Sequence, residues 1–150
     1  MLLYVAAPLF SEAEKRFNQR LTDKIEDLGY RVFLPQRDGV ERGQPPYDAM
    51  PPDERRRLRF ALDKDNVLAC DVFLFVLDGR VPDEGACVEL GIAYCQKELR
   101  QPTKRLIGLH TDVRAAFPGG ALNTMVGVPL DRVVHTEDAL LELLREIREK

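Results

Sequence analysis

The chain has little of several things that would simplify its reading. Its only histidines, His110 and His135, lie far apart with no serine or cysteine motif beside them, so a histidine-based triad or zinc site finds no support. The three cysteines, Cys70, Cys87 and Cys95, are an odd number without metal-ligand spacing. Each falls in an apolar pattern and reads as a reduced core thiol, which points to a cytoplasmic protein. No apolar run approaches the roughly 20 residues of a membrane span. The start, Met1-Leu2-Leu3-Tyr4, lacks the basic segment of a signal peptide. A net charge of −3 removes the electrostatic reason to expect nucleic acid or an anionic membrane as partner. Neither G-x-G-x-x-G nor G-K-[S/T] occurs, which weighs against a dinucleotide or triphosphate site.

What is present describes an ordinary globular chain. With 150 residues, 45% hydrophobic and 31% charged, it suits one domain over 1–150 with a real core. Apolar runs fit buried parallel strands at Leu2–Ala6, Arg31–Leu34, Val72–Leu77, Arg105–Leu109 and Arg132–Val134. Helical patterns lie between them. Ser11 with Glu14 forms a capping box for a helix to about Leu28, closed by Gly29. Asp53 after Pro51-Pro52 is expected to cap a second helix to about Cys70. A third spans about Glu84 to Leu99, and Thr136 caps the last. The alternation predicts a flavodoxin-like or Rossmann-like α/β fold: a doubly wound, mainly parallel five-stranded sheet with helices on both faces. The one long irregular segment, Gln36 to Pro52, is rich in proline and glycine and reads as a functional loop or lid.

The richest stretch is D-G-R-V-P-D-E-G-A-C-V-E-L-G-I-A-Y, from Asp78 to Tyr94. Three acids (Asp78, Asp83, Glu84) and two glycines (Gly79, Gly85) follow the third strand, at the sheet end where open α/β sheets bind ligands. Glu89 stands about one turn inside the next helix, with Gly85 and Ala93 at i−4 and i+4. The helix terminus is expected to hold it ionised, and the small-residue gap would let it attack a substrate carbon. A lone helical glutamate is more often simply solvated. Tyr4, on the first strand, is a core residue whose hydroxyl needs a partner. On the second helix Asp63 and Asp65 both have apolar neighbours, so a proton donor with a raised pKa is expected there, and periodicity does not choose between them.

Three segments together carry a resemblance. Y-V-A-A-P-L-F-S-E-A-E at Tyr4–Glu14, F-L-P-Q-R-D-G at Phe33–Gly39, and D-G-x-x-x-D-x-G-x-x-x-E-L-G-x-A at Asp78–Ala93 are similar to the nucleoside 2-deoxyribosyltransferase family. The resemblance implies a flavodoxin-like fold and transfer of 2-deoxyribose between nucleobases through a covalent glutamyl intermediate, without cofactor or metal. It makes Glu89 the nucleophile, Tyr4 the hydroxyl that orients it, and Asp83 the acid at the sugar's 5′-hydroxyl end. It selects Asp63, eight residues before Asp71, as the group beside the leaving base. Ala7, Phe10 and Gly85 would border the substrate, with Gln36, Arg37 and Asp38 near the base. Asn123-Thr124-Met125 resembles the family's N-x-M, donated across a subunit interface, so Asn123 and Met125 would serve a neighbour's sugar site. The implied partners are 2′-deoxynucleosides, free nucleobases and further copies of the chain, at least a dimer and by extension a hexamer built from dimers. One departure stands out. Ala7 occupies a position where the family commonly has glycine, which puts the tolerance for 2′-substituents in question. A related 2′-deoxynucleoside 5′-phosphate N-hydrolase group carries serine where this chain has Asp83. A carboxylate there repels a 5′-phosphate and accepts from a 5′-hydroxyl, favouring free nucleosides. A non-catalytic nucleotide-sensing module on the same fold would not need Tyr4, Asp63 and Glu89 together.

Overall fold

The computed structural model describes residues 1–40, 43, 45–112 and 122–149. Five strands, β1 (Leu2–Ala6), β2 (Arg31–Phe33), β3 (Val72–Val76), β4 (Arg105–Leu109) and β5 (Arg132–Val134), form one all-parallel sheet in the order β2-β1-β3-β4-β5. The helices between them are α1 (Glu12–Asp27), α2 (Pro35–Asp38), α3 (Pro52–Ala69), α4 (Glu84–Leu99), α5 (Thr124–Gly127) and α6 (Glu137–Arg148). This is the flavodoxin-like doubly wound order. After β1 the chain moves first outward to β2 and then to the other side at β3, so a crevice opens above the C-terminal ends of β1 and β3. Among the described residues no helix is long and apolar enough to cross a membrane.

Strand alternation divides the core in two. Leu3 and Val5 of β1, Val72, Leu74 and Val76 of β3, and Ile107 and Leu109 of β4 face α1 and α6, where Leu21, Ile25, Leu140 and Leu144 meet them. Tyr4, Ala6, Phe73, Phe75 and Leu106 face α3 and α4, meeting Val67, Leu90 and Ala93. Of the cysteines only Cys70 belongs to that core; Cys87 is half-buried and Cys95 exposed, because α4 buries one side only.

Helix starts follow the sequence at two places and depart from it at two. The Ser11–Glu14 capping box forms as expected, and Thr136 accepts from the Ala139 N–H at 3.1 Å. Asp53, by contrast, is not a cap: Pro51 occupies that position with Pro52 starting α3, and Asp53 pairs with Arg56 in the first turn. Proline favours the first helical position because it has no N–H to leave unpaired. α4 gains a cap in Asp83, whose Oδ1 accepts from Ala86 N at 2.8 Å. The far end of α3 is closed by Lys104, fully buried, whose Nζ donates to the carbonyls of Val67 (2.8 Å) and Cys70 (2.6 Å). The segment expected to be irregular carries α2 and a 3₁₀ turn at Tyr47–Ala49.

Candidate active site

β1 places Tyr4 beneath the crevice, against Glu89. Its ring is fully buried, stacked between Phe33 (5.5 Å, 10°) and Phe73 (5.8 Å, 5°), which leaves the hydroxyl one direction to point. It donates to Glu89 Oε1 at 2.7 Å, across 85 residues of sequence. Burial, with the charges of Glu89 and Asp63, pushes the Tyr4 hydroxyl far above its usual range, so it stays a donor at any physiological pH.

Glu89 is half-buried on the second turn of α4. Its carboxyl is pushed up to about 7, first by burial and also by the charges of Asp63 and Asp83, against the lowering effect of the Tyr4 hydrogen bond. The expectation that the helix terminus holds it ionised is thus overturned: the dipole fades beyond the first turn, and desolvation wins. Of the two small residues expected to flank it, Gly85 borders the crevice while Ala93 is buried in the core.

The crevice has a volume of about 250 Å³. One wall is α3, contributing Arg59 and Asp63; the other is the start of α4, contributing Asp83, Gly85, Ala86 and Glu89. Ala7, Leu9 and Phe10 from the β1–α1 loop, with Pro35 and Val40 beyond β2, complete it. Asp63 is half-buried and close enough for its charge to act on both Tyr4 and Glu89. Asp65 is exposed and pairs with Lys64 at 2.7 Å, so of the two acids Asp63 is the one that borders the crevice. Asp83 spends Oδ1 on the helix cap and, among the described residues, leaves Oδ2 to the crevice. A methyl group on Gly85 would come within 3.1 Å of Asp83 Oδ1. Phe10 stands 76% exposed at the rim.

Other sequence-named residues sit elsewhere. Gln36 donates to the Lys15 carbonyl (2.8 Å) and accepts from Asn18 (3.1 Å). Arg37 clasps Glu26 with two bonds of 3.0 and 2.9 Å and also binds Asp38, which accepts from Leu34 N at 2.8 Å. None of the three lines the crevice; Pro35 and Val40 from the same segment do. Asn123 is exposed and caps α5, its Oδ1 accepting from Met125 N at 2.9 Å, and Met125 is 80% exposed. Neither reaches the Glu89 crevice of its own chain. The turn at Phe117–Gly120 and Ala121 lie outside the described residues. Sequence reading missed Arg59; its position one turn before Asp63 on α3 was the available signal. A cleft of similar size, about 270 Å³, opens at the opposite end of the sheet beside Arg105, Asp131 and Arg132. It lies away from the strands' C-terminal ends and holds no bonded tyrosine–carboxyl pair. Among the described residues no three histidine, cysteine or acidic side chains gather as metal ligands.

Two carboxyls flanking a small crevice, one bonded to a permanently protonated phenol, can share one proton so that one acts as acid and the other as nucleophile. Comparisons with known proteins bear on the fold and the family. No curated protein matches the chain. A conserved protein from Enterococcus faecalis V583 has a similar structure, with a TM-score of 0.74 and 26% identity over 97% of this chain and 98% of its own. A 2-deoxyribosyltransferase from Bacillus psychrosaccharolyticus shares the fold, with a TM-score of 0.74 and 21% identity over 94% and 90%. The family model described as nucleoside 2-deoxyribosyltransferase matches residues 3–143, and the chain therefore belongs to the nucleoside 2-deoxyribosyltransferase family.

Proposed function

We propose that the protein is a nucleoside 2-deoxyribosyltransferase that moves 2-deoxyribose between nucleobases by two displacements at C1′. The observation that carries this reading is the 2.7 Å bond from Tyr4 to Glu89 Oε1 at the floor of a crevice walled by Asp63. The bond holds one carboxylate oxygen and leaves Oε2 to attack. In the first displacement Oε2 bonds to C1′ as the C1′–N bond breaks. The bond's electron pair leaves with the base, which takes a proton from Asp63. In the second, an incoming base attacks C1′, returns its proton to Asp63 and frees Glu89 with the β-configuration restored. Water in place of the second base gives slow hydrolysis. Asp83 accepts from the sugar's 5′-hydroxyl. Its negative charge opposes a 5′-phosphate, which supports nucleosides over nucleotides. The chemistry needs no cofactor, and salvage of deoxynucleosides in the cytoplasm is the role it suits.

Intact-mass measurement after mixing with a slow 2-fluoro-substituted donor should show a glycosyl adduct on the wild type and none on Glu89→Ala. An adduct that persists in Glu89→Ala sinks the assignment. Deoxyinosine should be a far better donor than its 5′-monophosphate, with the gap narrowed in Asp83→Ser; equal rates on both would favour the N-hydrolase reading.

The site is completed by a second subunit in this reading. Asn123 and Met125 are exposed and away from their own crevice, and Val128 beside them is 73% exposed, as an interface patch would be. A site shared this way needs an isologous dimer at least, and a hexamer can be built from three. Glu89→Ala and Asn123→Ala subunits should regain activity when co-assembled. No recovery in demonstrated hybrids would return Asn123 to its own chain.

A further inference from the structure

Among the described residues, Arg59 is the one cation lining the crevice, set against Asp63, Asp83 and Glu89. Its position is fixed. Nε (2.9 Å) and Nη2 (2.6 Å) both donate to the carbonyl of Val40, a fully buried residue that itself borders the crevice. A guanidinium carries five N–H donors, so this grip leaves the Nη1 hydrogens uncommitted among the described residues. Arg37, on the neighbouring segment, shows the contrast: it is neutralised by Glu26 and Asp38, whereas Arg59 has no ion pair among the described residues. Burial and the charges of Asp63 and Asp83 push the Glu89 carboxyl up.

Its place in the crevice decides what it meets. Arg59 precedes Asp63 by four residues on α3, so the two share one helical face and one wall. Asp83 stands on the other wall, at the start of α4. Resting on the transferase reading, in which Asp63 stands beside the leaving base, the Arg59 wall is the base wall and the Asp83 wall the sugar's 5′ end. We propose that Arg59 reads the nucleobase and selects 6-oxopurines, hypoxanthine and guanine, over adenine. A planar fork that can only donate matches an edge presenting two acceptors, O6 and N7. Adenine offers N7 but turns an amino group, itself a donor, toward the same fork. The same contact helps the oxopurine leave. As the C1′–N9 bond breaks, its electron pair spreads over the ring onto N7 and O6, where the guanidinium meets it.

The test compares donors within one protein. With a common acceptor base, kcat/KM for deoxyinosine should exceed that for deoxyadenosine by about ten- to a hundredfold, the usual worth of a bidentate arginine contact. Arg59→Met, which keeps the apolar stem and loses the donors, should bring the ratio close to one. Loosening of the Val40 segment slows both donors alike and leaves the ratio unmoved. Calorimetry with free hypoxanthine and free adenine reads the same preference without chemistry, so it still decides the matter if no transfer is found. In that case the transferase reading fails by itself. A wild type that binds and turns over both bases equally, or a preference that survives in Arg59→Met, overturns the proposal. So does a preference for the 5′-monophosphate that Arg59→Met abolishes, because it would assign Arg59 to phosphate.

Discussion

Two buried tyrosines, one on each side of the sheet, show how the same side chain serves structure in one place and chemistry in another. Tyr30 lies in the α1/α6 core and donates to the Leu144 carbonyl at 2.7 Å. Tyr4 lies in the α3/α4 core and donates to the Glu89 carboxyl at the same distance. Burial raises the pKa of both hydroxyls. What differs is the partner. A backbone carbonyl has one charge state, so the Tyr30 bond only ties α6 to the sheet. A carboxyl pushed up to about 7 has two states near neutral pH, and Tyr4 biases it toward the ionised one. Asp63 acts on both members of the Tyr4–Glu89 pair, whereas the charge acting on Tyr30 is that of Arg148, a surface residue.

The comparison breaks most sharply at Asp63. Asp63→Ala should lower kcat by roughly 10²–10⁴, the usual worth of general acid catalysis, while Asp65→Ala, on the exposed side of the same helix, should leave turnover near wild type. Steady-state kinetics with deoxyinosine decides it, and a more damaging Asp65→Ala would overturn the assignment. The matched pair Tyr4→Phe and Tyr30→Phe comes next. Tyr4→Phe should cost roughly 10- to 100-fold in kcat/KM, since a hydrogen bond to a charged group is worth about 1.5–3 kcal/mol. Because that bond lowers the Glu89 pKa, its loss should move the acid limb of the pH profile upward from about 7. Tyr30→Phe should leave the profile in place and instead cost about 1 kcal/mol of stability in denaturant unfolding.

Glu89 also links the site to stability. Its folded pKa lies above the ordinary 4.5, so the fold prefers the protonated form. The contribution is fully present below the unfolded pKa and is lost as pH rises through about 7. Wild type should therefore lose roughly 1–3 kcal/mol between about pH 4 and pH 8 from this group, and Glu89→Gln should flatten that slope. Equal slopes in the two proteins would show that the carboxyl is not strained by burial. The smallest effect is expected at Ala7, which borders the crevice. Ala7→Gly removes one methyl group, worth about 1 kcal/mol at most in a pocket contact, and should improve 2′-substituted donors a few-fold relative to deoxyinosine. No change in that ratio would place the 2′ position away from Ala7.

Much of this was legible in the chain itself. Alternation of β-branched and apolar runs with capped helices is a local pattern, and it located all five strands to within about a residue and the main helices nearly as well. The family resemblance, counted from Asp71 back to Asp63 and from Glu89 back to Asp83, marked acids that line the crevice. Three things were not legible. Gln36, Arg37 and Asp38 belong to a segment that does border the crevice, but their side chains bond to the Lys15 carbonyl and Glu26 of α1 and to the Leu34 N–H, and the motif alone does not show which way they turn. Arg59 belongs to no motif and is marked in the sequence only by its place one turn before Asp63; its guanidinium is held by the Val40 carbonyl, a partner 19 residues away. The ionisation of Glu89 went the other way from expectation, because helix position is a local property and burial is not.

The sequence by itself determined the order of elements, the two faces of each strand and the residue types available for catalysis, since periodicity and capping act over a few neighbouring residues. Only the tertiary structure decided which of those residues meet. Tyr4 and Glu89 are 85 residues apart in the chain and 2.7 Å apart in space, and the pair exists because β1 and β3 are neighbours at the point where the sheet changes direction. A carboxyl's charge depends on the water it has lost and the charges it has gained, and both come from segments that only folding brings together.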